Sequence, residues 1–217
     1  PSNHGLFNQL MNEQESGTTQ SDMHNEFHPN LAAIRDPIRI DTDSQFIPEN
    51  GVVGGDGSPG TPYLISDWVI DAVGAHGIEI RNTNAHLIIQ NCSVKASMMY
   101  NGIVVYNAHN VKIINVSVSE SDFGILLMSA TNSSVWNSSS SHNRYDGIKL
   151  SSTFNNTICN NTVVENGWNG FDLASSHNNT LTLNNASFNI DYGFYAYNSN
   201  YSKLFNNTFV KIGRAHV

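Results

Sequence analysis

The sequence predicts an all-β, right-handed parallel β-helix of about six to seven coils, on the strength of two periodic columns and a turn-rich composition. Gly77, Gly102, Gly124, Gly147, Gly170 and Gly193 are spaced 25, 22, 23, 23 and 23 residues apart. Asn91, Asn115, Asn137, Asn160, Asn185 and Asn206 follow them at distances of 13 to 15 residues. Only 13% of the 217 residues are charged and 39% are hydrophobic, with short apolar triplets set between runs of Asn, Ser and Thr. That distribution suits many turns and short strands, and it lacks the blocks of Ala, Leu, Glu and Lys that long helices use.

Each glycine opens a triplet whose outer members are apolar: Ile78/Ile80, Ile103/Val105, Ile125/Leu127, Ile148/Leu150, Phe171/Leu173 and Phe194/Ala196. Alternation at period two marks a strand with one buried face. Two residues before the asparagine column stand Ile89, Ile113, Val135, Ile158, Leu183 and Leu204; three after it stand Val94, Val118, Ser140, Val163, Phe188 and Phe209. A single coil cannot bury its own apolar face, but parallel coils stacked about 4.8 Å apart bring like residues together in one continuous interior. Asparagine suits the turn because its short amide tolerates left-handed backbone and can bond the equivalent amide one coil away, forming a ladder. Leucine-rich repeats share the period, yet they need a Leu-rich frame with a helical back. The intervening segments 151–157 and 174–180 are turn formers instead, and they select the β-helix.

Outside the periodic region, residues 1–33 are polar and aperiodic and read as a flexible leader. Residues 34–70 read as the N-terminal cap and approach to the solenoid. Within them Pro37 to Phe46 would supply a strand over the otherwise unpaired first coil, and a glycine and proline loop from Gly54 would lead into the strand at Ile65. The regular coils occupy 71–211, with the solenoid as a whole reading from about Pro62 to Val210. The last six residues, Ile212 to Val217, match the peptide encoded by one frame of a common sequencing-library adapter, so 212–217 reads as a non-native tail, with further coils or domains of the same chain expected.

A formal charge of −8 and the absence of any Lys/Arg cluster argue against nucleic acid or an anionic membrane as partner. No run of about 18 apolar residues is present to span a bilayer. Cys92 and Cys159 fall three coils apart, roughly 14 Å along the axis, which is too far for a disulfide. They read as small packed thiols.

The Gly-Ile-x-Leu strands, the Asn-Asn-Thr turns and the Gly-Asp-Gly-Ser-x-x-x-Pro-Tyr-Leu-Ile approach resemble NosD-like β-helix repeats, which also occur in carbohydrate-binding and sugar-hydrolase (CASH) domains of archaeal and bacterial surface proteins. The resemblance covers Pro37 to Val210. It implies the pectate-lyase-like superfold and an extracellular or cell-surface setting, and it leaves open polysaccharide lyase, glycoside hydrolase and copper-accessory roles, since one fold hosts many chemistries.

Weighed residue by residue, the strongest functional feature is an aromatic one or two residues before the coil glycine: Tyr100, Phe123, Tyr145, Trp168 and Tyr192. Such a stripe offers faces for sugar rings, and the same stacking would also stiffen the turns, so a polysaccharide track and plain packing both remain open. Asp122 and Asp146 are the best carboxylate pair for acid/base chemistry on adjacent coils. Asp-Gly and Asn-Gly are also ordinary turn dipeptides, so no catalytic residue is assigned. Lys149 and Asp172, at the outward middle of adjacent triplets, read as a surface ion pair worth roughly 0–1 kcal/mol. His76, His86, His109, His142 and His177 fall at unrelated points in their coils, so neither a metal site nor a cofactor is expected. Ten Asn-x-Ser/Thr sequons are present, and Asn132, Asn155, Asn178 and Asn200 form a turn column of their own with better access than the ladder asparagines. The expected protein is a β-helix module that binds a polysaccharide or cell-surface glycan, or serves as a rigid spacer.

Overall fold

The computed structural model describes residues 33–210, and within them the chain winds through three parallel sheets. The expected leader up to residue 32 and the adapter-like tail lie outside the described residues. Sheet A holds eight strands, from Ala33–Arg35 to Thr208–Phe209; sheet B holds seven, from Ile38–Ile40 to Phe194–Tyr197; sheet C holds seven, from Tyr63–Ser66 to Lys203–Phe205. Each coil contributes one strand to B, then C, then A. Every strand pairs in parallel with its counterparts one coil away, so side chains about 23 residues apart in the chain stand directly over one another.

The predicted register holds in sheet B. Ile103 pairs with Ile125, Ile125 with Ile148, and Ile148 with Phe171, and all four are fully buried. The glycine column answers to space rather than to backbone angle. A Cβ on Gly124 would lie 2.0 Å from the Ser140 hydroxyl and 2.5 Å from the Gly147 carbonyl, because this corner runs against both the inward side chains of sheet A and the next coil.

The solenoid also starts earlier than the glycine period indicates. Ala33–Arg35 joins sheet A and Ile38–Ile40 joins sheet B, where Ile38 and Ile40 sit in register with Ile78 and Ile80. The segment expected as a cap is therefore an in-register part of a coil, one that lacks the glycine mark. Between it and sheet C the chain makes two 3₁₀ turns, Asp43–Gln45 and Pro48–Asn50, and the Phe46 ring stacks on Tyr63 at 4.3 Å.

The asparagine column needs one correction. Asn91, Asn115, Asn137, Asn160 and Asn206 all adopt left-handed backbone (φ between 49° and 55°) at the corner between sheets C and A, as expected. Asn185 does not, since it lies in a sheet A strand opposite Thr162, and Leu183 (φ 57°) takes the turn position. The flanking columns move with it. Leu181 pairs with Ile158, and Ala186 pairs with Val163, so Leu181 and Ala186 fill the interior while Leu183 and Phe188 are exposed. The interior sets the register, and the outward turn accepts a leucine at the cost of some strain.

Behind this outward ladder runs a buried one. In the C-terminal coils the residue after the left-handed turn is an inward asparagine, whose amide oxygen accepts the backbone N–H of the equivalent residue one coil earlier. Thus Asn161 accepts from Ser138 at 2.9 Å and Asn184 from Asn161 at 3.0 Å, while the Asn161 amide also donates to Val135 O at 2.9 Å. Asn156 and Asn179 repeat this before sheet C, and Asn143, Asn166 and Asn189 repeat it after sheet A. These N–H groups turn inward at the corner, where no strand can pair them, and a buried donor must find an acceptor.

Candidate functional site

The outer face of sheet B carries one column of side chains in register: Arg39, Glu79, Val104, Leu126, Lys149, Asp172 and Tyr195. Strand alternation points these residues away from the interior. Val104 and Leu126 lie outside the core cluster, yet they are only 5% and 6% exposed. Surrounding side chains therefore wall this column.

The predicted aromatic stripe runs alongside it. Backbone bonds align Tyr100, Asp122, Tyr145 and Trp168 in one file and Asn101, Phe123, Asp146, Asn169 and Tyr192 in the next. The coils at Phe123 and Tyr192 have one residue fewer between aromatic and glycine, so their rings start from the second file. Phe123 and Tyr145 are nevertheless 5.1 Å apart between centroids, and Tyr145 and Trp168 4.5 Å, in tilted and edge-to-face arrangements. Tyr100 contacts His76 at 5.8 Å, and Tyr192 contacts Tyr195 at 5.8 Å. Tyr100, Phe123 and Tyr145 are half-buried, whereas Trp168 and Tyr192 are exposed. Arg144 lies over the Tyr145 ring and Lys149 over Phe123, at 5.0 and 5.2 Å.

The carboxylates are arranged differently from the sequence expectation. Asp122 and Asp146 occupy neighbouring files and engage different partners. Asp122 faces Arg144 at 3.8 Å, and burial raises its carboxyl pKa despite the opposing pull of Arg144 and His76. Asp146 is fully buried: one oxygen accepts the Asn169 backbone N–H at 3.0 Å and side-chain amide at 2.9 Å, and the other meets Lys149 at 3.1 Å. Lys149 also binds Asp172 directly. The Lys149–Asp172 pair is thus no surface contact, since Asp146 makes it a triad and the Asp172 side chain is 8% exposed. Burial pushes the Asp172 carboxyl above its ordinary range, and with Asp146 nearby it outweighs the pull of Lys149. On Lys149 burial works downward, but Asp172 and Asp146 outweigh it and the ammonium form is favoured. Nothing in the sequence separated this cluster from an exposed ion pair, because its burial depends on the aromatic wall.

At the other end of the column the charges are inverted. The Glu79 carboxylate, 3% exposed, is held by Arg39 at 3.0 Å and Arg81 at 2.6 Å. Four of the histidines have partners in separate places: His76 accepts the Asn101 N–H, His109 pairs with the Thr131 hydroxyl, His142 with Glu165 and His177 with the Asn200 N–H. Among the described residues no three His, Cys, Asp or Glu side chains converge as a metal site would require. Cys92 and Cys159 are free thiols.

Two mutant forms of the periplasmic alginate epimerase AlgG share the fold, with TM-scores of 0.57 and 0.50 at 22% and 20% identity, over 64% and 63% of this chain. The chain spans only about a third of their length, 35% and 32%. The A-module of the Azotobacter vinelandii mannuronan C-5 epimerase AlgE4 aligns at 15% identity over 70% of this chain and 62% of its own, with a TM-score of 0.49. No curated protein matches the chain. The profile of the right handed beta helix region matches residues 51–209, most of the solenoid described above, and the chain belongs to that family.

Proposed function

We propose that this β-helix is an extracytoplasmic carbohydrate-binding module, which holds a polysaccharide strand along the outer face of sheet B without chemistry of its own. The observation that carries the reading is the unbroken ring contact from Phe123 through Tyr145 to Trp168 beside the walled column, ending in an exposed indole. Coils repeat about every 4.8 Å, so a strand lying along the file passes one ring per coil, and Trp168 at its end offers the exposed ring on which a sugar can stack. Asp146 is committed to the Asn169 backbone and to Lys149, which favours binding over acid/base catalysis. The two AlgG structures that share the fold are by name those of a periplasmic alginate epimerase, which is consistent with this ligand class and setting.

Affinity electrophoresis and a glycan array with the wild type and Trp168→Ala test the reading. The expected result is retention by at least one polysaccharide, weakened roughly tenfold or more in the variant, equivalent to about 1.4 kcal/mol of lost stacking. Equal retention of both proteins by every polymer overturns it.

A further inference from the structure

We infer that the 168–195 end of this face is a hydroxyl-reading subsite that selects uncharged glycans over uronate polymers. The inference rests on the carbohydrate-binding reading above and concerns which sugars the site takes.

Two oxygens at this end lack a donor. Asp172 Oδ1 and Asn169 Oδ1 are buried and have no hydrogen-bond partner. The Asn169 amide cannot be turned to remedy this, because its nitrogen donates to Asp146 Oδ1, and a carboxylate only accepts. Asp172 Oδ2 is already taken by Lys149. Each orphan oxygen is thus an acceptor awaiting a donor, on a residue next to one with an exposed ring: Trp168 precedes Asn169 in the chain, and Tyr195 follows Asp172 along the outward column. Trp168 is 46% and Tyr195 42% exposed. Exposed side chains change rotamer quickly and at little cost, so an entering sugar can turn one ring aside and stack on the other.

A sugar ring has apolar faces and hydroxyl edges. Stacked at Trp168 it presents donors to the acceptors beneath, and the ligand best matched to acceptor-only groups is rich in free hydroxyls. A uronate carboxylate supplies acceptors where donors are needed. It also meets unfavourable charge: Asp146 and Asp172 outnumber the single cation Lys149, and the whole chain carries −8. The site thereby differs in expected preference from the alginate-acting proteins that share its fold.

Binding titrations against a neutral β-glucan, a neutral mannan, alginate and polygalacturonate test this, using the wild type, Asp172→Leu and Asp172→Asn, with thermal melting to confirm folding. The wild type is expected to bind a neutral polymer at least tenfold more tightly than either uronate. Asp172→Leu removes the acceptor and one negative charge, leaving Lys149 paired with Asp146 alone, so neutral binding should fall about tenfold while uronate binding rises. Asp172→Asn keeps the shape, but its one carbonyl oxygen is needed by Lys149 and the amide NH2 takes the Oδ1 position, so neutral binding should fall as in the leucine form; this variant decides the matter if the leucine form does not fold. Preference of the wild type for a uronate, or unchanged selectivity in both variants, overturns the inference. If polymers bind and require Trp168 but ignore Asp172, only this inference falls; if none binds, the underlying reading falls with it.

Discussion

The two halves of the solenoid fill the same corners with opposite chemistry. In the N-terminal coils the inward residue after the C-to-A turn is Cys92 and then Val116; the next coil places Ser138 there, and the C-terminal coils place Asn161, Asn184 and Asn207. The corner before sheet C passes likewise from Leu87 and Val111 through Ser133 to Asn156 and Asn179. Aliphatic corners stabilise by burial, which is non-directional, so each contributes according to the area it removes from water. Amide corners stabilise through directed bonds, so each depends on the coil after it. One backbone path thus tolerates both solutions, and the serine coil joins them because a hydroxyl is small enough to pack beside valine and polar enough to bond an amide.

The largest expected effect is at the centre of the amide half. Asn161→Leu leaves the Ser138 N–H without its acceptor and the Val135 carbonyl without its side-chain donor. With buried groups at about 1–3 kcal/mol each, urea denaturation should show a loss of about 2–6 kcal/mol. A smaller effect is expected from the reciprocal exchange. Val116→Asn extends the amide column toward Cys92, next to the polar Ser138, and should cost less than about 1.5 kcal/mol in the same assay. Costs of equal size in the two variants would mean that the halves differ only in filler and not in the directionality of their bonds. The mildest probe alters no residue. Burial pushes the Cys92 thiol pKa up to about 11, and the same cause raises the half-exposed Cys159. Because the thiolate is the reactive form, alkylation at pH 8 should label Cys159 first and leave Cys92 protected until global unfolding, as read by mass spectrometry. Early labelling of Cys92 would show that the aliphatic corner opens on its own.

The fold was legible because its signals repeat. Gly102, Gly124 and Gly147 recur where Cβ atoms would collide, and Ile103, Ile125 and Ile148 recur where the interior is dry. Repetition failed as a guide where one coil departed from it: an asparagine two residues late, Asn185, drew the turn column away from Leu183, although the buried series Asn161, Asn184, Asn207 keeps an unbroken 23-residue spacing and would have fixed the register. The strand within Pro37 to Phe46 was legible, but its place in a regular coil was not, because Ile38 and Ile40 lack the preceding glycine. The aromatic files were visible in the sequence, but the triad of Asp146, Lys149 and Asp172 was not. Its burial is a property of the wall beside it, and outward positions of a strand do not announce what covers them.

The constant spacing of the later coils has a consequence for descent. Because Gly124, Gly147, Gly170 and Gly193 stand at identical intervals and each coil bonds only its two neighbours, a gene duplication that copies one whole coil preserves every column in the molecule. Insertions of other lengths keep the columns only where a turn takes up the difference, as in the 25-residue step from Gly77 to Gly102 and in the long first coil that still sets Ile38 against Ile78. Length variation among homologues should therefore come as whole repeats or be confined to the turns.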